Sequence, residues 1–110
     1  MVRTKQEVIE IGKKYAKKVD ELFDDVEVRL FGSYHRGNPK EWSDIDLAVI
    51  GPDFKFMDLF VTLKILNRLK RDISPDIEVV GLTEEEFNNP LPGSISWEVA
   101  HQSEQLFKSR

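Results

Sequence analysis

The chain has 110 residues, 16 Lys and Arg against 20 Asp and Glu, and a formal charge of −4. That acidic balance argues against broad electrostatic binding of nucleic acid, which is not expected as a direct substrate. There is no cysteine, so disulfides and thiolate metal sites are excluded.

The length suits one domain over residues 1–110, able to bury a core without staples. No apolar run approaches the ~18 residues of a membrane span, and no signal peptide is evident. A soluble, cytoplasmic chain with no membrane partner is the expectation. No repeat or low-complexity segment stands out.

The first predicted element is a helix from about Thr4 to Phe23. Thr4 and Glu7 have the spacing of a capping box. Val8, Ile9, Ile11, Tyr15, Val19, Leu22 and Phe23 then fall on one helical face. Lys13, Lys14, Lys17 and Lys18 read first as a solvated face and second as a docking surface. Asp24-Asp25 mark a turn, and Val26 to Phe31 alternates as a strand leading into Gly32-Ser33.

Ser33 is placed to cap a short turn through Tyr34, His35 and Arg36, which Gly37 and Asn38-Pro39 then break. Exposed N–H groups at such a start attract phosphate, and Arg36 adds a charged fork or makes a surface ion pair. Trp42, in the loop that follows, is expected to pack on the sheet edge in preference to covering a pocket mouth.

Ser43 to Ile50 is the second strand, stopped by Gly51-Pro52. Side chains alternate between faces, so Asp44 and Asp46 share one and Ile45, Leu47 and Val49 the other. The apolar face suits a core. Like charges so near each other repel, and a divalent cation relieves the repulsion.

Phe54 to Asp72 has a helical pattern, with Phe56, Leu59, Phe60, Leu63, Leu66 and Leu69 at the apolar positions. Asp76 to Val80 reads as a third strand, with Ile77 and Val79 on one face and Asp76, Glu78 and Val80 on the other. Thr83 caps a short helix to Phe87, and Ser94 caps a last one carrying Ile95, Trp97, Val99 and Ala100. Gln105 to Phe107 closes as an edge strand. His35 and His101 read as packing or surface residues. A phosphate cradle, a gap and paired carboxylates suit phosphoryl-group chemistry.

Gly32-Ser33, Arg36-Gly37 and then Ser43-Asp44-Ile45-Asp46-Leu47 resemble the signature of the DNA polymerase beta-type nucleotidyltransferases. The short length points to their minimal nucleotidyltransferase branch, whose members are often paired with HEPN-domain toxins. His35 stands where the branch commonly has Ala. The resemblance covers most of the chain.

The order helix–strand–turn–strand–helix–strand–helix predicts an α/β sandwich, the nucleotidyltransferase fold, with a small mixed sheet of at least three strands backed by helices on one face. The resemblance implies transfer of AMP from ATP to a hydroxyl, with Asp44 and Asp46 binding two Mg2+ ions. Gly32, Ser33 and Arg36 would hold the triphosphate. A third carboxylate would come from the next strand: Glu78 fits the family spacing better than Asp76, although both share the face.

After Val80 about 30 residues remain, so the acceptor is expected from a partner, a HEPN toxin modified on a tyrosine by this antitoxin. The alternative is a binding module that neutralises such a ribonuclease by covering it. Homo- and hetero-oligomers both stay open.

Overall fold

The computed structural model describes residues 2–109. Helix α1 (Lys5–Leu22) starts at a complete capping box: Thr4 accepts from the Glu7 amide, and the Glu7 side chain accepts from the Thr4 amide. That exchange satisfies two of the donors a helix start leaves open. Strand β1 (Glu27–Phe31) runs into helix α2 (Gly32–Arg36), and β2 (Ile45–Ile50) follows the loop.

A 3-10 turn (Pro52–Phe56) and helix α3 (Leu59–Leu69) lead to β3 (Ile77–Leu82). Helices α4 (Glu84–Asn88) and α5 (Ile95–His101) and strand β4 (Glu104–Lys108) complete the order. The sheet runs β3-β2-β1-β4. β1 is antiparallel to β2 and β4, while β2 and β3 are parallel neighbours joined through α3. This is the mixed sheet expected from the sequence.

The alternation in β2 divides the sheet into two chemistries. Ile45, Leu47 and Val49 are fully buried with Val28 and Leu30 of β1, under Val8, Tyr15 and Val19 of α1 and Leu66 of α3. The two long helices therefore back one face, as expected. The opposite face is divided along its length. Ala48, Ile50 and Leu82 at one end lie in a second cluster with Phe31 of β1 and Val99 of α5. The end carrying Asp46 and Glu78 lies outside that cluster. The short helices thus cover the far end of the acidic face, a layer not anticipated from the sequence.

The buried Tyr15 hydroxyl donates to the Leu66 carbonyl at 2.7 Å and ties α1 to α3. Tyr15→Phe removes the donor and leaves that carbonyl without its partner, at a cost of about 1–2 kcal/mol. The expected result is a lower urea midpoint at an unchanged slope, since the exposed surface on unfolding stays the same.

The helix read over 54–72 is interrupted. Asp58 caps α3 by accepting from the Phe60 and Val61 amides, so the helix begins there and the preceding residues form a separate turn. The separate start leaves Phe56 and Phe60 at the surface, 85% and 81% exposed, with Leu59 also exposed. Leu66, one of the expected apolar positions, is buried, and Thr62 joins it on the inward face of α3. At the chain's end, Ile95 is exposed, while Leu106 and Phe107 pack in part against the main core. Among the described residues no helix is long and apolar enough to cross a membrane.

Candidate active site

Gly32 fixes the bend beside the acids. Phe31, the last residue of β1, lies opposite Asp46 across the antiparallel pair. The chain must leave the strand there and turn at once into α2. Gly32 does so at φ +75, a left-handed conformation that side chains disfavour. A Cβ at this position would overlap the Asp46 carboxylate and lie 2.9 Å from its Cγ. The glycine thus gives both the turn and the space for a carboxylate against the backbone.

The same bend corrects the cap expected at Ser33. The residue preceding the helix is Phe31, with no side-chain cap, and Ser33 lies inside the first turn. The left-handed glycine starts the helix two residues earlier than a serine cap would. Gly37 closes α2 at φ +84.

Asp46 and Glu78 are paired across the parallel strands β2 and β3. Side chains at one register of neighbouring strands project from the same face, one strand spacing of about 4.8 Å apart. Asp44 stands just before β2 and shares the parity of Asp46. Burial first, then the charges of Asp44, Glu78 and Glu98 in that order, push the Asp46 carboxyl up to about 6, while Arg36 pulls the other way.

Asp76 is placed differently. Its carboxylate pairs with Arg3 at 2.6 Å, and its carbonyl accepts from the Ile45 amide at 2.9 Å. Of the two acids weighed for the third position, Glu78 is the one beside Asp46.

Glu98 has no signal in the local sequence. It enters from α5 and meets the Arg36 guanidinium at 3.3 Å. Arg36 is therefore held in an ion pair, the second of its two expected roles, while its charge still reaches Asp46. Glu98→Gln removes a negative neighbour and releases Arg36, so the Asp46 carboxyl should titrate lower. Arg36→Ala should move it higher. Carboxyl-carbon NMR titration reads both shifts, and their opposite signs are the expected result.

His35, the departure from the family pattern, faces β4. Its Nδ1 lies 3.2 Å from Glu104, which Lys5 also reaches at 2.8 Å. Burial alone would raise the Glu104 carboxyl, but hydrogen bonds from Lys5 and His35 outweigh it and hold the group below its usual range. His101 stacks on Trp97 with ring centroids 4.2 Å apart. Both histidines make structural contacts.

Carboxylates without matching cations fit a hard divalent ion. Asp46 is the test: its charge is disfavoured by burial and by three acids, and the nearby arginine is already paired. Among the described residues no group of three His, Cys, Asp or Glu side chains is gathered closely enough to hold a metal ion. The register of β2 and β3 puts two carboxylates, Asp46 and Glu78, on one face, and carboxylate oxygen is the donor type that a hard ion takes alongside water and phosphate.

Beyond Asp44 lies a cleft of about 380 Å³ lined by Arg3, Tyr34, Trp42, Ser43, Asp44 and Asp76, among others. Trp42 does not pack on the sheet edge; it is 77% exposed and lines this cleft. β2 begins only at Ile45, so the loop carrying Trp42 stands clear of the sheet.

Residues 13–102 match the family model described as a nucleotidyltransferase domain. Two proteins of Methanocaldococcus jannaschii, MJ1215 and MJ1379, whose assigned name is protein adenylyltransferase, resemble the chain. MJ1215 is 37% identical over 76 residues, 66% of this chain and 88% of its own length. MJ1379 is 27% identical over 89 residues, 81% of this chain and 87% of its own.

A crystal structure from Sulfolobus solfataricus, described as a nucleotidyltransferase, aligns with a TM-score of 0.72 at 22% identity, covering 94% of this chain and 83% of that one. A toxin–antitoxin complex with AMP-PNP aligns at 0.60 and 24% identity, covering 91% and 74%. A mutant of the toxin–antitoxin pair MntA–HpeT aligns at 0.59 and 20%, covering 98% and 76%. These structures share the fold. The match over residues 13–102 covers most of the chain and spans both the glycine bend and its carboxylates: this protein belongs to the nucleotidyltransferase domain family and is a nucleotidyltransferase.

Proposed function

We propose that the protein transfers AMP from ATP to a hydroxyl of a partner protein, a tyrosine of a HEPN-domain toxin, and so acts as its antitoxin. The observation that carries this reading is the register pairing Asp46 with Glu78 beside the Gly32 bend. The names of the Methanocaldococcus relatives support protein as the acceptor, and the toxin–antitoxin neighbours support the kind of partner.

The first turn of α2, with Gly32 and Ser33, receives the triphosphate through backbone N–H groups and the Ser33 hydroxyl. Arg36 contributes positive charge while Glu98 restrains it. Asp44, Asp46 and Glu78 would hold Mg2+, two ions in the full site, and the metal would supply neutralisation of phosphate charge and a lower pKa for the attacking hydroxyl.

Glu78 orients the acceptor hydroxyl and accepts its proton. The hydroxyl oxygen then forms a bond to the α-phosphorus, the bond from that phosphorus to the bridging oxygen breaks, and pyrophosphate leaves with the electron pair. Positioning and charge stabilisation carry such a transfer.

The test is incubation of the purified partner with ATP labelled in its α-phosphate and Mg2+. Label should appear on the partner and vanish with Asp44→Ala/Asp46→Ala. Full neutralisation of the toxin by that double variant, with no label on the partner in either case, would instead establish a covering antitoxin without turnover.

A further inference from the structure

Trp42 has no packing role in the described fold. Its side chain projects from the loop between α2 and β2, 77% exposed, and the nearby charge above its ring is the Lys40 ammonium at 5.8 Å. A single exposed apolar side chain is ordinary at a protein surface, and Phe56 and Phe60 are exposed as well. The Trp42 ring does not stand in isolation, because it lines the cleft that Asp44 also lines. The volume of about 380 Å³ is within the range of small-molecule sites.

The chemistry of the walls narrows the occupant. Glu7, Asp44 and Asp76 place carboxylates along the cleft, against the single guanidinium of Arg3, which Asp76 already holds. Phosphate is repelled from such walls. A flat, uncharged ring system with N–H donors at its edge is suited to them, with its face on an indole and its edge toward carboxylates. Tyr34, on the same short helix as Ser33, also lines the cleft, so the cleft and the phosphate-facing turn are adjacent parts of one surface.

From this geometry we propose that Trp42 is the stacking platform for the donor's nucleobase, seated in the cleft beside Asp44. The assignment rests on the nucleotidyltransferase reading of the carboxylates and adds the feature that reads the base. Base–aromatic stacking tolerates many bases but grips the larger purine ring more firmly. Trp42 therefore favours purine over pyrimidine nucleotides.

Binding separates base from phosphate. In a Trp97→Phe background, Trp42 is the remaining tryptophan. Its fluorescence should be quenched on titration with AMP-PNP and Mg2+, and barely altered by inorganic tripolyphosphate with Mg2+. Calorimetry of Trp42→Ala should show AMP-PNP binding weakened about tenfold, within the range that loss of one stacked base gives. Tripolyphosphate binding should be unchanged, the preference for ATP over CTP should shrink, and Trp42→Phe should restore most of the affinity. Thermal melting serves as the control for folding.

Equal weakening of AMP-PNP and tripolyphosphate, or of neither, overturns the assignment. So does an unchanged nucleotide affinity combined with a raised KM for the acceptor protein, which would make the cleft an acceptor seat. If the unaltered protein binds neither AMP-PNP nor tripolyphosphate, the nucleotidyl-transfer reading falls as well. Binding of both with no effect of Trp42→Ala removes the nucleobase assignment alone.

Discussion

Asp46→Asn should abolish transfer and make the protein more stable. With Asp46 in the metal-holding role proposed for it, its loss is expected to lower kcat/KM by on the order of a thousandfold or more, roughly 4 kcal/mol of transition-state stabilisation. The gain in stability follows from the same charge. The Asp46 carboxyl titrates near 6 in the fold against an ordinary 3.8, through burial first and then Asp44, Glu78 and Glu98.

A group whose folded pKa is raised binds its proton more tightly in the folded state. Stability therefore falls as pH rises from 3.8 through 6, and the cost is fully present above that window. Linkage makes the full shift worth about 3 kcal/mol, which solvent around a half-buried carboxylate screens to about 1–2 kcal/mol. Urea unfolding at pH 7.5 should give Asp46→Asn that advantage, and at pH 4 the difference should nearly vanish.

Mg2+ should raise the melting temperature at pH 7.5 and do so much less at pH 5, where protons occupy Asp46. The asparagine variant should lose this response. A variant that is both inactive and less stable at pH 7.5 would show that Asp46 serves the fold and would overturn its role as a strained functional carboxylate.

Gly32→Ala should be nearly as damaging to transfer, by a different route. The added methyl group meets the Asp46 carboxylate, and the φ of +75 disfavours any side chain. The backbone penalty is about 1–2 kcal/mol, so folding survives in a domain of ordinary stability. Catalysis is less tolerant, because displacement of a reacting group by about 1 Å can cost a hundredfold.

The expected result is a fall of at least about a hundredfold in kcat/KM, a modestly lower urea midpoint, and a weaker Mg2+-induced rise in melting temperature. The combination identifies displacement of Asp46. Loss of stability with unaltered Mg2+ response would place the carboxylate elsewhere. Gly37→Ala is a useful companion: it shares the positive φ, but its added methyl group meets nothing within 4 Å. It should reproduce the backbone penalty while retaining the Mg2+ response.

Local patterns in the sequence carry much of the structure. Alternation in β2 separates Asp44 and Asp46 from Ile45, Leu47 and Val49 because strand geometry leaves little choice. The Thr4 and Glu7 spacing locates the start of α1 because two short hydrogen bonds fix it. Glu78 is foreseeable from family spacing, while its position opposite Asp46 depends on how β3 docks.

Features that need three dimensions are not legible in the same way. Glu98 reaches Arg36 from 62 residues away, and no nearby residue signals it. Phe56 and Phe60 satisfy a helical period, but Asp58 starts a new helix between them, and of that apolar set the core fully buries Leu66. Ser33 is a suitable cap by residue type; the left-handed glycine before it moves the helix start. Trp42 is a strongly apolar residue that the late beginning of β2 leaves in solvent.

The parallel pairing of β2 with β3 also bears on kinetics. β1 and β2 are sequence neighbours and can zip together early, whereas β3 must wait for the crossover through α3, and contacts of greater separation cost more loop entropy. Glu78 is then expected to join Asp46 after the main barrier, with their repulsion weak in the folding transition state. Stopped-flow chevrons should show Mg2+ slowing unfolding while leaving refolding almost untouched. The ion would act as a late latch, extending the lifetime of the assembled protein without hastening its formation.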